Sequence, residues 1–150
     1  MTIYTIGFTH KTAEEFFGLI SSHRIRTLID TRLNNNTQLA GFTKCGDLGY
    51  FLKRLCRCRY EYCPEYAPSS ELLSSWRKKA VSWGEYVSEY TKLMVERGAV
   101  KDFIARFCKC KSVCLLCSEA EPIHCHRRLL AEMTAAELKL RGKKAEVVHI

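Results

Sequence analysis

The sequence predicts an α/β fold: a mostly parallel sheet of about four to five strands with helices on both faces. Three observations point there. Short apolar runs end in polar residues, capping signals precede amphipathic stretches, and the two patterns alternate along the 150-residue chain.

Residues 2–7, TIYTIG, alternate apolar and polar side chains and end in glycine, so they read as a strand entering a turn. Thr12 and Glu15 form a capping box ahead of Phe16, Leu19 and Ile20, which starts a helix at about residue 13. The run Thr27-Leu28-Ile29-Asp30 stays apolar until its end, as a strand buried on both faces does, and Asp30 and Arg32 sit at its tip. Leu48, Phe51, Leu52 and Leu55 fall at i, i+3, i+4 and i+7 and define a helical stripe. Lys53, Arg54 and Arg57 are left on a basic side suited to phosphate.

Residues 59–62, RYEY, read as a short strand, and Pro64 and Pro68 mark a loop. Leu72, Leu73 and Trp76 indicate a helix. A second capping box, Ser82 with Glu85, opens another helix that carries Tyr86, Tyr90, Leu93 and Met94 and stops at Gly98. Val100, Phe103, Ile104 and Phe107 repeat the helical spacing. The most apolar short run, SVCLLC from Ser112 to Cys117, is too short for a helix and is expected as a central strand. After Pro122 a helix starts near Cys125, with Leu129, Met133, Ala136 and Leu140 on one face and a stop at Gly142. Ala145 to Ile150 reads as the last strand.

Strands interleaved with helices imply a Rossmann-like, three-layer arrangement. No repeat or Pro/Gly/Ser-rich linker divides residues 1–150, so one domain is expected. Ligands of such sheets sit beyond the C-terminal ends of the strands. That rule collects Gly7 to His10, Asp30 to Arg32, and Cys117 to Arg127 as candidate site residues.

Hydrophobic residues at 47% and charged residues at 27% exclude a natively disordered chain. No run approaches the roughly 18 apolar residues of a membrane span. The N-terminus shows neither a charged leader nor a cleavage site, so a cytoplasmic location is expected. There the nine cysteines stay reduced, as buried small residues, metal ligands or catalytic thiols. Lys and Arg total 24 against 16 Asp and Glu, a net charge of +8 that favours a phosphate-bearing small molecule or nucleic acid as partner. A solvated basic surface accounts for the same charge.

The sharpest chemical signal is CLLCSEAEPIHCHRR. A thiol at a helix N-terminus beside His and Arg has its thiolate favoured by the helix dipole and by positive charge. Cys117 or Cys125 is therefore a candidate nucleophile next to His126, with Glu119 as general acid or base and Arg127 as anion clamp. Zinc is the rival, because Cys114 and Cys117 have CxxC spacing and Cys125 or His126 would complete the ligands. On a strand, positions three apart point to opposite faces, which argues against that grip, and no metal or cofactor is assigned. The spacings of Cys56, Cys58, Cys63, Cys108 and Cys110 read as small buried residues. Gly7, Thr9 and His10 stand at a strand-to-helix turn whose backbone N–H groups suit an anion. Asp30 and Arg32 share a side of an extended chain and either pair as scaffold or bind substrate.

The segments YTIGFTHKTAEEFF, LIDTRLNNNTQLAGF, SWGEYVSEY, and CLLCSEAEPIHCHRRLLAE with the terminal VVHI resemble the family called domain of unknown function 488. The resemblance spans nearly the whole chain. It implies a TIG-type motif at Thr5, Ile6 and Gly7, an Asp-x-Arg at Asp30 and Arg32, a Cys-x-Glu at Cys117 and Glu119, and a Cys-His-Arg helix start at Cys125, His126 and Arg127. Phe8 stands where many members carry His, and Thr31 where many carry Val; the first departure weakens any chemistry at position 8. The NNNTQLAGF stretch resembles one subgroup, which implies that Asn35, Gln38 and Phe42 line its pocket.

Three functional readings follow. One is an enzyme, a Cys-dependent transferase or hydrolase, acting on a nucleotide or nucleic-acid base. Another is a non-catalytic nucleic-acid module resting on Lys53, Arg54, Arg57, Arg77, Lys78, Lys79, Lys109 and Lys111. The third is a structural zinc domain.

Overall fold

Strands β1 (Thr2–Gly7), β2 (Thr27–Asp30), β3 (Arg59–Tyr62), β4 (Ser112–Cys117) and β5 (Glu146–His149) pair in parallel, in the order β3-β2-β4-β1-β5. The structure is a computed structural model that describes residues 1–36 and 40–150. β4 holds the centre with a ladder on each side, and its residues 113–117 are all buried. That is the environment a continuous apolar run requires. Register aligns Gly7 with Cys117 and Asp30 with Leu116, so the tips of β1, β2 and β4 end at one rim.

Six helices cover the described sheet: α1 (Ala13–Ser22), α2 (Cys45–Phe51), α3 (Ser70–Arg77), α4 (Trp83–Glu96), α5 (Ala99–Phe107) and α6 (His126–Leu140). Side chains alternate between the two faces of a strand, and the core divides accordingly. Ile6, Leu28, Cys114 and Leu116 pack with Phe16, Phe17 and Ile20 of α1 and with Leu48 of α2. Ile3, Ile29, Val113 and Leu115 pack on the opposite face with Tyr90 and Met94 of α4, Phe103 and Phe107 of α5, and Leu130 of α6. Each such large side chain stabilises the fold by roughly 1.5–3 kcal/mol relative to exposure. The result is a three-layer α/β fold with an all-parallel sheet. Both capping boxes form, at Thr12 with Glu15 and at Ser82 with Glu85.

Two stripes differ from the sequence reading. Of the expected α6 stripe, Leu129 is buried and Met133 packs against the core, but Ala136 is exposed and Leu140 is 84% exposed, while Leu130, Ala131, Thr134, Ala135 and Leu138 are buried instead. An Ala- and Leu-rich helix carries two apolar stripes of equal spacing. The sheet takes the one whose small residues, Ala131 and Ala135, permit close approach. In the second case, α2 continues into a π-helical turn at Leu52–Cys56 that closes on Arg57 in the left-handed conformation (φ 51°). The wider turn rotates Leu55 off the buried face, leaving it 60% exposed. No helix of the described residues is long and apolar enough to cross a membrane. All nine cysteines are free thiols.

Candidate functional site

β4 delivers Cys117 to the rim, and the following loop returns to start α6 with Cys125 as its N-cap. Cys117 Sγ, Cys125 Sγ and a ring nitrogen of His126 consequently lie within 4.8 Å of one another, all in buried residues. His126 Nδ1 stands 3.8 Å from Cys117 Sγ, and its Nε2 lies 3.0 Å from the carbonyl oxygen of Thr31. A carbonyl only accepts, so Nε2 carries a proton and donates it. Nδ1 then either accepts from the Cys117 thiol or, in the imidazolium, donates to its thiolate.

Electrostatics favour the second arrangement. The Cys125 thiol donating to it holds Cys117 well below the usual thiol range; burial opposes this, and the His126 charge and the Glu119 N–H support it. Cys125 moves the other way, pushed up by burial and by the neighbouring Cys117 thiolate. For His126, burial disfavours the charged ring, but Cys117 and the Thr31 carbonyl outweigh it and the value rises. The two cysteines thus divide into a thiolate and a protonated donor.

The loop that follows Cys117 is clamped from several sides. Thr9 donates to the Ser118 carbonyl through both its N–H (3.2 Å) and its hydroxyl (2.6 Å). Buried Arg127 donates to the carbonyls of Glu119 and Ala120. Gly7 lies flush beneath it, where a side chain would meet the Glu119 carbonyl. Gly7 and Arg127, expected to bind an anion, therefore sit beneath the loop and brace it.

Asp30 and Arg32 resolve the choice between scaffold and substrate contact toward pairing. Arg32 Nε and Nη2 donate to the two carboxylate oxygens at 2.8 and 2.7 Å, with both side chains buried. Nη2 also donates to the Thr43 carbonyl at 2.7 Å, and the Tyr60 hydroxyl donates to Asp30 at 2.7 Å. The guanidinium stands 5.2 Å from the Phe8 ring centroid. Arg32 borders the same cavity as Cys117, although its side chain is only 2% exposed.

That cavity, of about 440 Å³, is lined by Cys117, Ser118, Glu119, Cys125 and His126 on one side and by Thr9, Arg32, Leu33 and Asn34 on another. Leu73, Trp76 and Arg77 of α3, Tyr86 of α4, Pro68 and His124 complete it. Rings crowd the α3–α4 wall: Trp76 is 5.6 Å from Tyr86 and 5.9 Å from His124, and Tyr90 connects onward to His126 at 5.7 Å.

Six residues given a catalytic or binding role from the sequence line this cavity, Cys117, Glu119, Cys125, His126, Thr9 and Arg32, together with Ser118 and His124 from the same collected stretch. His10 instead borders a separate surface depression with Lys11 and Glu15. Asn35 is buried and donates to the Tyr60 hydroxyl at 3.2 Å. Phe42 packs against Phe16 and Phe17 in the core. Gln38 lies outside the described residues. The sequence reading named Arg77 only as a surface base and His124 only within the Cys117–Arg127 stretch, took Trp76 and Tyr86 for the core stripes of their helices, and missed Asn34, which reaches the rim from a loop.

Fold and site together define a three-layer α/β protein with a buried Cys/Cys/His group at the carboxyl rim of a parallel sheet. The family model described as domain of unknown function DUF488 matches residues 12–134, and the chain belongs to that family. No curated protein and no solved structure matches it.

Proposed function

We propose that the protein is a cytosolic enzyme acting on a nucleotide or nucleic-acid base, with Cys117 as nucleophile. The observation that carries this reading is the Cys117–His126 pair, 3.8 Å apart and oriented by the Thr31 carbonyl, at the wall of a cavity sized for a small molecule. His126 stabilises the thiolate, which attacks an electrophilic carbon of the base. Glu119, an exposed carboxylate on the cavity wall, exchanges the proton with the leaving group or with water. Arg77 offers positive charge to phosphate, and Trp76 offers its ring to a base. Stacking on such a ring contributes about 1–3 kcal/mol per base.

The test is incubation of the protein with nucleosides, nucleotides and short oligonucleotides, following product and intact mass. Cys117→Ser is expected to abolish turnover and any covalent adduct with the fold retained, and Glu119→Gln to slow turnover about 100-fold or more with unchanged melting temperature. If both substitutions unfold the domain, or no compound of this class reacts, the reading fails.

A further inference from the structure

We propose that Cys117, Cys125 and His126 also form a binding site for a thiophilic divalent cation of the zinc class, with a fourth coordination position open to the cavity. Two features of the geometry and one of charge support it. The first is spacing. Zinc binds thiolate sulfur at about 2.3 Å and imidazole nitrogen at about 2.0–2.1 Å, so tetrahedral neighbours stand roughly 3.5 Å apart. The Cys117 sulfur and His126 Nδ1 are 3.8 Å apart, and the three donors all fall within 4.8 Å, so small side-chain rotations close the set.

The second is orientation. A histidine that ligates a metal through one nitrogen characteristically donates its other N–H to a carboxylate or backbone carbonyl, which fixes the ring. His126 already makes that bond to Thr31, which leaves Nδ1 facing the Cys117 sulfur, with the Cys125 sulfur in the same group. The third is charge. Two thiolates and a divalent cation sum to zero, which suits a group of buried residues where a lone ion is costly.

Cys114 takes no part, because its side chain packs with Phe16 and Leu116 on the opposite face of the sheet. The CxxC spacing is thus not the ligand pair; Cys117 finds its partners across the loop, on the first turn of α6. Three protein donors beside an open cavity match the pattern of an accessible metal site rather than a closed structural one. The cation and the free thiolate are alternative states of the same residues, and a bound ion would cap Cys117.

The experiment is titration of the metal-free full-length chain with Co²⁺ under reducing conditions, followed by displacement with Zn²⁺. One equivalent is expected to produce a sulfur-to-cobalt charge-transfer band and tetrahedral-strength visible bands. Cys117→Ser and Cys125→Ser each remove the charge-transfer band of this site, whereas Cys114→Ser retains it. A measurement on the unaltered chain guards against misfolded variants: Zn²⁺ is expected to protect Cys117 from iodoacetamide, read by peptide mapping. No stoichiometric band, a band that survives in Cys125→Ser, or absence of protection overturns the proposal. The thiolate reading is tested separately by the reactivity of the metal-free protein, so either can fail alone.

Discussion

A Cβ atom built on Gly7 would stand 1.8 Å from the Glu119 carbonyl oxygen and 2.7 Å from its carbon. Both obstacles are backbone, and Arg127 fixes them from the other side, so neither can rotate aside. Gly7→Ala is therefore expected to lift the loop that carries Ser118 and Glu119 and to cost roughly 1–3 kcal/mol in stability, the range for overpacking. Denaturant unfolding measures the stability. Alkylation kinetics of Cys117 measure the displaced Glu119 N–H, and an unchanged rate with unchanged stability would contradict the role given to Gly7.

Cys117 is held below the ordinary thiol range by the Cys125 hydrogen bond and by the His126 charge. Its reaction with iodoacetamide should therefore fall only as pH drops through that lowered value, and should remain fast below the pH at which an ordinary thiol slows. His126→Asn removes the charge. A hydrogen bond to a charged group contributes about 1.5–3 kcal/mol, which corresponds to about one to two pKa units. The acid limb is expected to move upward, with a roughly 10- to 100-fold slower reaction on that limb. The same shift has a sign in stability. A depressed thiol stabilises the fold above its unfolded value and loses that contribution as pH falls through the folded one. A profile identical to that of the parent chain would refute the pairing.

The Asp30–Arg32 pair contributes through the cost of breaking it. Removing one partner of a buried pair leaves the other charge unpaired and costs roughly 3–5 kcal/mol. Asp30→Ala should show a loss of that size by chemical denaturation. Tyr60→Phe, which deletes only the hydroxyl that donates to Asp30 at 2.7 Å, should cost about 1.5–3 kcal/mol. Near-zero values for both would mean that Arg32 finds other acceptors.

Much of this architecture is legible in the residues. SVCLLC reads as the central strand because a segment buried on both faces has no room for polar side chains. The rule that ligands gather beyond the strand ends brings Cys117, Glu119, Cys125 and His126 together correctly as neighbours. What is not legible has specific causes. Arg127 and Arg32 look like anion ligands in sequence, yet the acceptors that occupy them are backbone carbonyls and a carboxylate two residues away, invisible until the chain is folded. Trp76 reads as a core residue of its helix, but α3 buries no residue fully and presents that ring to the cavity. His124 lies in the loop before α6, where no periodicity exists to assign it a face.

The basic residues separate by rim, and this yields a test of where phosphate binds. Arg57 precedes the first residue of β3, and Lys109 and Lys111 precede β4, so they belong to the amino-terminal rim. Arg77, by contrast, lines the cavity at the carboxyl rim, with Lys78 and Lys79 following it in sequence. Each phosphate contact contributes about 0.7–0.9 to the slope of log affinity against log salt. Arg77→Ala should weaken binding of a single-stranded oligonucleotide and flatten that slope by about one unit. Arg57→Ala, which removes the same charge from the other rim, should leave both nearly unchanged, because ions screen exposed charges beyond about 8–10 Å at ordinary ionic strength. Equal effects from the two substitutions would show that the oligonucleotide responds to total charge alone, and the cavity would lose its claim as the place where phosphate is held.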